Sequence, residues 1–257
     1  VACGGQHSAL ITKDGELVTW GNSDRGQCGH DTFRSSQVPR LIRSLREHYV
    51  MQVACGESHT LILTSTSQVL SCGLAAYGAL GHGDGEDCCT PRVIGALWSL
   101  PVVQIAAGEN HSAAVVSTGE AHMWGLNKHG QLGLRAEGGR GEISMAEINQ
   151  AMLSTLNVKL VACGGNHSVF LCSDLKVYSC GMGSKGQLGH GSRRDEHRPR
   201  RVERLEEQEI SEVSCGYEHT LFRDSSGVLF VCGSNEYGQL FLGSDHQEAL
   251  TPVEISA

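Results

Sequence analysis

One octapeptide recurs along this chain and constrains its fold more than any other feature. Val1-Ala2-Cys3-Gly4-Gly5-Gln6-His7-Ser8 returns as Val53-Ala54-Cys55-Gly56-Glu57-Ser58-His59-Thr60 and as Ile105-Ala106-Ala107-Gly108-Glu109-Asn110-His111-Ser112. The fourth and fifth copies begin at Val161 and Val213, so the intervals are 52, 52, 56 and 52 residues. A fixed period of this size marks stacked repeats, as in a solenoid or a propeller. The units run over residues 1–52, 53–104, 105–160, 161–212 and 213–257.

Other elements keep the same beat. An aromatic residue or Cys followed by Gly comes next: Trp20-Gly21, Cys72-Gly73, Trp124-Gly125, Cys180-Gly181 and Cys232-Gly233. A second glycine motif follows at Gly26-Gln27-Cys28-Gly29, Gly78-Ala79-Leu80-Gly81, Gly130-Gln131-Leu132-Gly133 and Gly186-Gln187-Leu188-Gly189. In the fifth copy, Gly238-Gln239-Leu240, Phe241 replaces the last Gly. Four units then place Pro39, Pro91, Pro199 and Pro252 in a strand-like run. The third has no proline there and carries its extra residues in that segment.

The first unit predicts strands at Val1 to Cys3, His7 to Thr12, Leu17 to Trp20 and Gln37 to Ile42, with a hairpin turn at Asp14-Gly15. Runs such as His59-Thr-Leu-Ile-Leu63 are apolar at successive positions, which requires cover on both faces. Pro39 places the fourth strand at a sheet edge. Four antiparallel strands per repeat make a propeller blade. Ser144 and Glu147 form a capping-box pattern, and Ile148, Met152 and Leu156 follow at helical spacing, so a short helix is expected within 145–155.

The ordered motifs resemble the regulator of chromosome condensation repeat, over essentially the whole chain. The resemblance implies an all-β, RCC1-like β-propeller, here with five four-stranded blades where rings of the family have seven. It also implies a protein-interaction module of a larger protein, as in ubiquitin ligases and kinases. The alternative is a guanine-nucleotide exchange factor for a Ran-type small GTPase, which needs a full ring and a wedge insertion. Nucleosome docking is a third family property. The chain starts on a repeat motif without Met, so two further units are expected in the parent protein. The competing expectation is a five-bladed ring closed by Thr251 to Ser256 beside Val1.

Composition narrows the function. Apolar residues are 40% and charged residues 19%, enough for a packed core. The net charge of −8 disfavours direct DNA binding, which needs a basic footprint. No apolar run reaches the ~20 residues of a membrane span. The 11 cysteines suit a reducing, cytoplasmic or nuclear compartment better than a disulfide framework. Cys3, Cys55, Cys163 and Cys215 each precede a His by four residues, but Ala107 breaks the series, and residues a repeat apart are too dispersed for one tetrahedral site. No nucleophile–base pair or phosphate loop is present. No enzyme chemistry, metal or cofactor is therefore expected.

The partner-binding candidates are the variable positions between repeated ones. The Gly-x-x-His turn and the loop after Trp-Gly must emerge on the same side of each blade. They offer Glu57, Glu109, Tyr217 and Glu218 from the turns and Asp24, Arg25, Tyr77, Lys128, Lys185 and Tyr237 from the loops. Tyr and Arg are frequent interface anchors. An arc of Glu57, Glu109 and Glu218 would steer a basic partner segment. A second candidate is the run Arg193, Arg194, Arg198, Arg200 and Arg201, which reads either as a solvated mixed-charge surface or as a basic patch.

Overall fold

The computed structural model describes residues 1–134, 142–143 and 156–255, so the helix expected within 145–155 lies outside the described residues. The rest is nearly all β, in five antiparallel four-stranded sheets. The first sheet takes β1 (Ala2–Cys3), β2 (His7–Ile11), β3 (Leu17–Gly21) and β4 (Ser36–Leu41), hydrogen-bonded in sequence order. The second takes β5 (Val50–Cys55), β6 (His59–Thr64), β7 (Val69–Gly73) and β8 (Cys88–Val93). The third is β9 (Val102–Ala107), β10 (His111–Val116), β11 (Ala121–Leu126) and the short β12 (Glu142–Ile143). The fourth is β13 (Val158–Cys163), β14 (His167–Cys172), β15 (Val177–Gly181) and β16 (Glu196–Arg201). The fifth is β17 (Ile210–Cys215), β18 (His219–Asp224), β19 (Leu229–Ser234) and β20 (Glu248–Ile255).

The chain falls into two compact units. One holds Val1–Thr118 and His122–Leu126 with β12, and so the first three sheets. The other holds Gly119–Ala121 and the described residues from Asn127 onward, β12 aside, with the last two sheets.

Register follows from the repeated glycines and prolines. The Gly after Trp or Cys pairs with the His of the neighbouring strand, as in His7↔Gly21 and His59↔Gly73. Gly21 has φ +108, and a Cβ there would lie 2.5 Å from the Gln6 carbonyl oxygen, so only glycine fits. The prolines sit on edge strands beside a break in register: Gly21 pairs with Ser36 but Thr19 with Arg40, leaving Pro39 in the bulged stretch. The Asp14-Gly15 hairpin closes with Thr12 N–H on the Glu16 carbonyl, and Gly15 alone in it has positive φ.

The core lies between facing sheets. All six residues of β6, of β10 and of β14 are buried, as their unbroken apolar runs require. Ala9, Leu17, Ile42, Val53, Ile62 and Leu70 form one cluster, and Leu61, Leu63, Ile94, Ile105, Val116 and Trp124 another. In the second unit Val169, Leu171, Val202, Phe222 and Phe230 do the same. Each fully buried side chain of this size contributes about 1.5–3 kcal/mol. Between sheets, single 3-10 turns at Arg43–Leu45, Gly95–Leu97 and Glu203–Leu205 each bury a leucine.

Candidate functional site

The repeated histidine anchors the turns that carry the candidate residues. In each turn the Gly N–H donates to the His carbonyl, at 2.8 Å for Gly4 and His7 and 2.9 Å for Gly216 and His219. The imidazole folds back over that glycine. A Cβ at Gly56 would stand 2.1 Å from His59 Cε1, and at Gly164 2.1 Å from His167 Cε1. The ring therefore dictates the glycine through space.

Three of these rings, His7, His59 and His167, reach the hydroxyl that follows the next repeat's histidine. His7 Nε2 lies 2.8 Å from Thr60 Oγ1, His59 Nε2 2.9 Å from Ser112 Oγ, and His167 Nε2 3.0 Å from Thr220 Oγ1. Those hydroxyls donate to the carbonyls of Gln27 (2.7 Å), Ala79 (2.8 Å) and Gln187 (2.8 Å) in the preceding repeat's loop. The hydroxyl proton being used, the imidazole donates from Nε2–H and is neutral. Burial agrees, pushing His7 down to about 4 and His59 and His167 down to about 3.

The same loop carbonyls take a second donor from the third strand. Trp124 Nε1 donates to Ala79 at 2.9 Å, while Cys72 Sγ donates to Gln27 at 3.6 Å and Cys232 Sγ to Gln187 at 3.5 Å. Trp and Cys thus alternate at one position because each offers a donor.

A backbone bond holds two loops side by side in every repeat. The residue after the strand-ending glycine donates its N–H to the residue before the histidine: Asn22 to Gln6, Leu74 to Ser58, Leu126 to Asn110, Met182 to Asn166 and Ser234 to Glu218. Where the loop has Gln, its Oε1 accepts the N–H two residues earlier, from Arg25 (3.0 Å), His129 (3.0 Å), Lys185 (2.8 Å) and Tyr237 (2.8 Å). Arg25, Tyr77, Lys185 and Tyr237 share one repeat position, and at Arg25, Lys185 and Tyr237 the glutamine bond fixes its backbone.

In the first unit the turns of the second and third repeats adjoin, Glu57 N–H donating to the Glu109 carbonyl at 3.2 Å. Glu57 is exposed and Glu109 half-buried. Asp24 accepts from Ser35 Oγ, and Arg25 pairs with Asp87 at 3.3 Å. Tyr77 is exposed on a residue with φ +59. In the second unit Tyr217 lies against Gly165, whose N–H donates to the Tyr217 carbonyl at 3.0 Å. Lys128 is exposed, Lys185 and Glu218 are half-buried, and Tyr237 is 87% exposed. The structure thus joins Glu57 to Glu109, while Glu218 belongs to the other unit.

The arginine run is mostly matched. Arg193 pairs with Glu248, Arg200 with Glu196 at 3.0 Å and Arg201 with Glu206 at 2.7 Å. Arg194 and Arg198 are exposed. Sequence reading passed over a second recurring histidine: His30, His82 and His190 meet the hydroxyls of Thr19, Ser71 and Ser179 at 3.1, 2.9 and 2.9 Å. The signal was a His directly after Gly29, Gly81 and Gly189. Burial raises Cys55 and Cys163 to about 12, so these are thiols at neutral pH. Among the described residues no group of His, Cys, Asp and Glu is placed to hold a metal.

The family model described as the RCC1-like domain matches residues 1–257. The chain belongs to the RCC1-like domain family. Its sheets are the blades of that propeller type. Ultraviolet-B receptor UVR8 of Arabidopsis thaliana is 34% identical over 258 residues, covering 100% of this chain and 58% of UVR8. E3 ubiquitin-protein ligase HERC2 of Homo sapiens is 33% identical over 241 residues, covering 93% of this chain and 5% of HERC2. The chain thus spans only part of the length of these relatives. The crystal structure of human WBSCR16 superposes with a TM-score of 0.86 at 28% identity, covering 99% of this chain and 66% of that one. No helix among the described residues is long and apolar enough to cross a membrane.

Proposed function

We propose that the chain is a protein-interaction scaffold whose turn-and-loop face receives a basic segment of a partner protein. The observation that carries this reading is the shared position of Arg25, Tyr77, Lys185 and Tyr237. At Arg25, Lys185 and Tyr237 the backbone is pinned by the loop glutamine while the side chain varies. Rigid scaffolds with variable loops are how recognition surfaces are built. On the first unit Glu57 and Glu109 stand in adjoining turns, which supports attraction of a basic segment. All eleven cysteines are free, which supports a reducing, cytoplasmic or nuclear setting.

The test is charge reversal, Glu57→Lys with Glu109→Lys, and Glu218→Lys separately, against a partner recovered by affinity purification. The double variant is expected to slow association about tenfold at low salt and to flatten its salt dependence. An unchanged on-rate and salt slope would overturn the acidic-arc reading. The scaffold acts by binding, so nucleotide release from small GTPases should not accelerate when the chain is present at catalytic concentration. Acceleration would favour the exchange-factor reading instead.

A further inference from the structure

Two residues after the strand-ending glycine, one loop N–H is capped by the residue twelve positions further on. Ser23 N–H donates to Ser35 Oγ (3.0 Å), Ala75 to Asp87 Oδ1 (2.9 Å), Gly183 to Asp195 Oδ1 (3.0 Å) and Asn235 to the Gln247 carbonyl (2.8 Å). A hydroxyl and a carbonyl serve where a carboxylate does, so the cap alone does not call for a charge.

Asp87 and Asp195 each keep a second oxygen, and in both cases it meets a side chain from the preceding repeat. Arg25 Nη1 lies 3.3 Å from Asp87 Oδ2, and His129 Nδ1 lies 2.8 Å from Asp195 Oδ2. Arg25 and His129 hold the same repeat position, and a loop glutamine fixes the N–H of each at 3.0 Å. Each pair lies within one compact unit. The pairs differ in their cation. A guanidinium is always charged, whereas an imidazole changes charge between pH 5 and 8. They also differ in exposure. The His129 side chain is 23% exposed against 59% for Arg25, so solvent and salt screen the histidine pair less. Gly130 holds the two segments together, since a Cβ there would lie 2.4 Å from His197 Cα.

We propose that His129 and Asp195 form a pH-sensitive clasp between the loops of the third and fourth repeats, with Arg25 and Asp87 as its pH-insensitive twin. The other charged or titratable groups of these segments are Lys128 on the histidine's own loop and Arg194, Glu196 and His197 beside Asp195. Glu196 is engaged by Arg200. Among the described residues only Asp195 is hydrogen-bonded to the His129 ring. Protonated, the ring makes a charge-assisted bond, roughly twice as strong as a neutral one. Neutral, it presents Asp195 with either a weaker N–H or a lone pair that the carboxylate repels. The clasp is therefore closed on the acid side and loosens as pH rises, opposite in sign to the buried latch histidines.

The test is amide exchange by NMR on the whole chain, with protection factors for Gly183 and Ala75 compared at pH 5.5 and pH 8. Gly183 protection should fall about threefold toward pH 8 while that of Ala75 stays level, which separates the clasp from any global change. His129→Arg should keep Gly183 protected at both pH values. Asp195→Asn retains a cap oxygen and should give low, pH-independent protection. His197→Gln should leave the dependence as it was. A level Gly183 profile, an equal change at Ala75, or a dependence that survives His129→Arg or vanishes in His197→Gln would overturn the clasp.

Discussion

Compare the hydroxyl after each repeated histidine with the residue before the first glycine of each loop motif. The first series reads Ser8, Thr60, Ser112, Ser168, Thr220, and the second Arg25, Tyr77, His129, Lys185, Tyr237. Both belong to the same loop system, yet one never changes chemistry and the other never settles. The hydroxyls of Thr60, Ser112 and Thr220 are buried between a histidine and a carbonyl, where an unmade hydrogen bond costs about 1–3 kcal/mol. At the other position Arg25, Lys185 and Tyr237 commit the backbone N–H, while the side chains differ: Arg25 and His129 pair with Asp87 and Asp195, and Tyr77 and Tyr237 stand exposed. The lesson is that this fold separates stability from specificity within about twenty residues of chain.

Acid should break the buried series first. His7 titrates at about 4 and His59 and His167 at about 3 in the folded chain, against about 6.5 unfolded. Below about 6.5 the unfolded chain binds protons that the folded chain refuses. Stability is therefore complete above that pH and falls as pH drops toward 3–4. At pH 5 each of the three is expected to cost about 2 kcal/mol relative to pH 7. Urea midpoints measured from pH 7 to pH 4.5 check this, and a flat profile would contradict the neutral latch. His59→Gln should shallow the acid limb.

His59→Ala comes next, with an expected loss of about 3 kcal/mol, from a cavity and from a Ser112 hydroxyl stripped of its donor. His219→Ala, at a half-buried copy, should cost about 1 kcal/mol or less. Equal losses would mean that burial does not set the latch energy. The smallest effect is reserved for the variable series: Tyr77→Ala and Tyr237→Ala should stay within about 0.5 kcal/mol in denaturation, while weakening partner capture.

Much of the fold was legible because its signals are local. The glycine after Trp20, the edge proline Pro39 and the apolar run at His59 to Leu63 each imply one backbone state. The recurrence of the histidine was legible but not its partner: the ring binds a hydroxyl 53 residues on, which in turn binds the loop carbonyl. That link crosses repeats, and a pattern read within one repeat does not contain it. Leu45, Leu97 and Leu205 are buried in short turns between sheets, where no strand period marks them. The candidate surface was legible only as variation, and a side chain's pairing, such as Arg25 with Asp87, depends on which strands adjoin.

The shared carbonyl of each loop has a thermodynamic consequence. Gln27 gathers donors from Thr60 and Cys72, so the first repeat's loop is completed by atoms the second repeat owns. Stability then resides in coupling between neighbours more than in any repeat's intrinsic free energy, as in a one-dimensional Ising chain. A substitution at Thr60 should be felt as fraying of residues 22–29 before it is felt in its own sheet. A repeat excised alone would keep its sheet but lose the neighbour's half of these latch bonds.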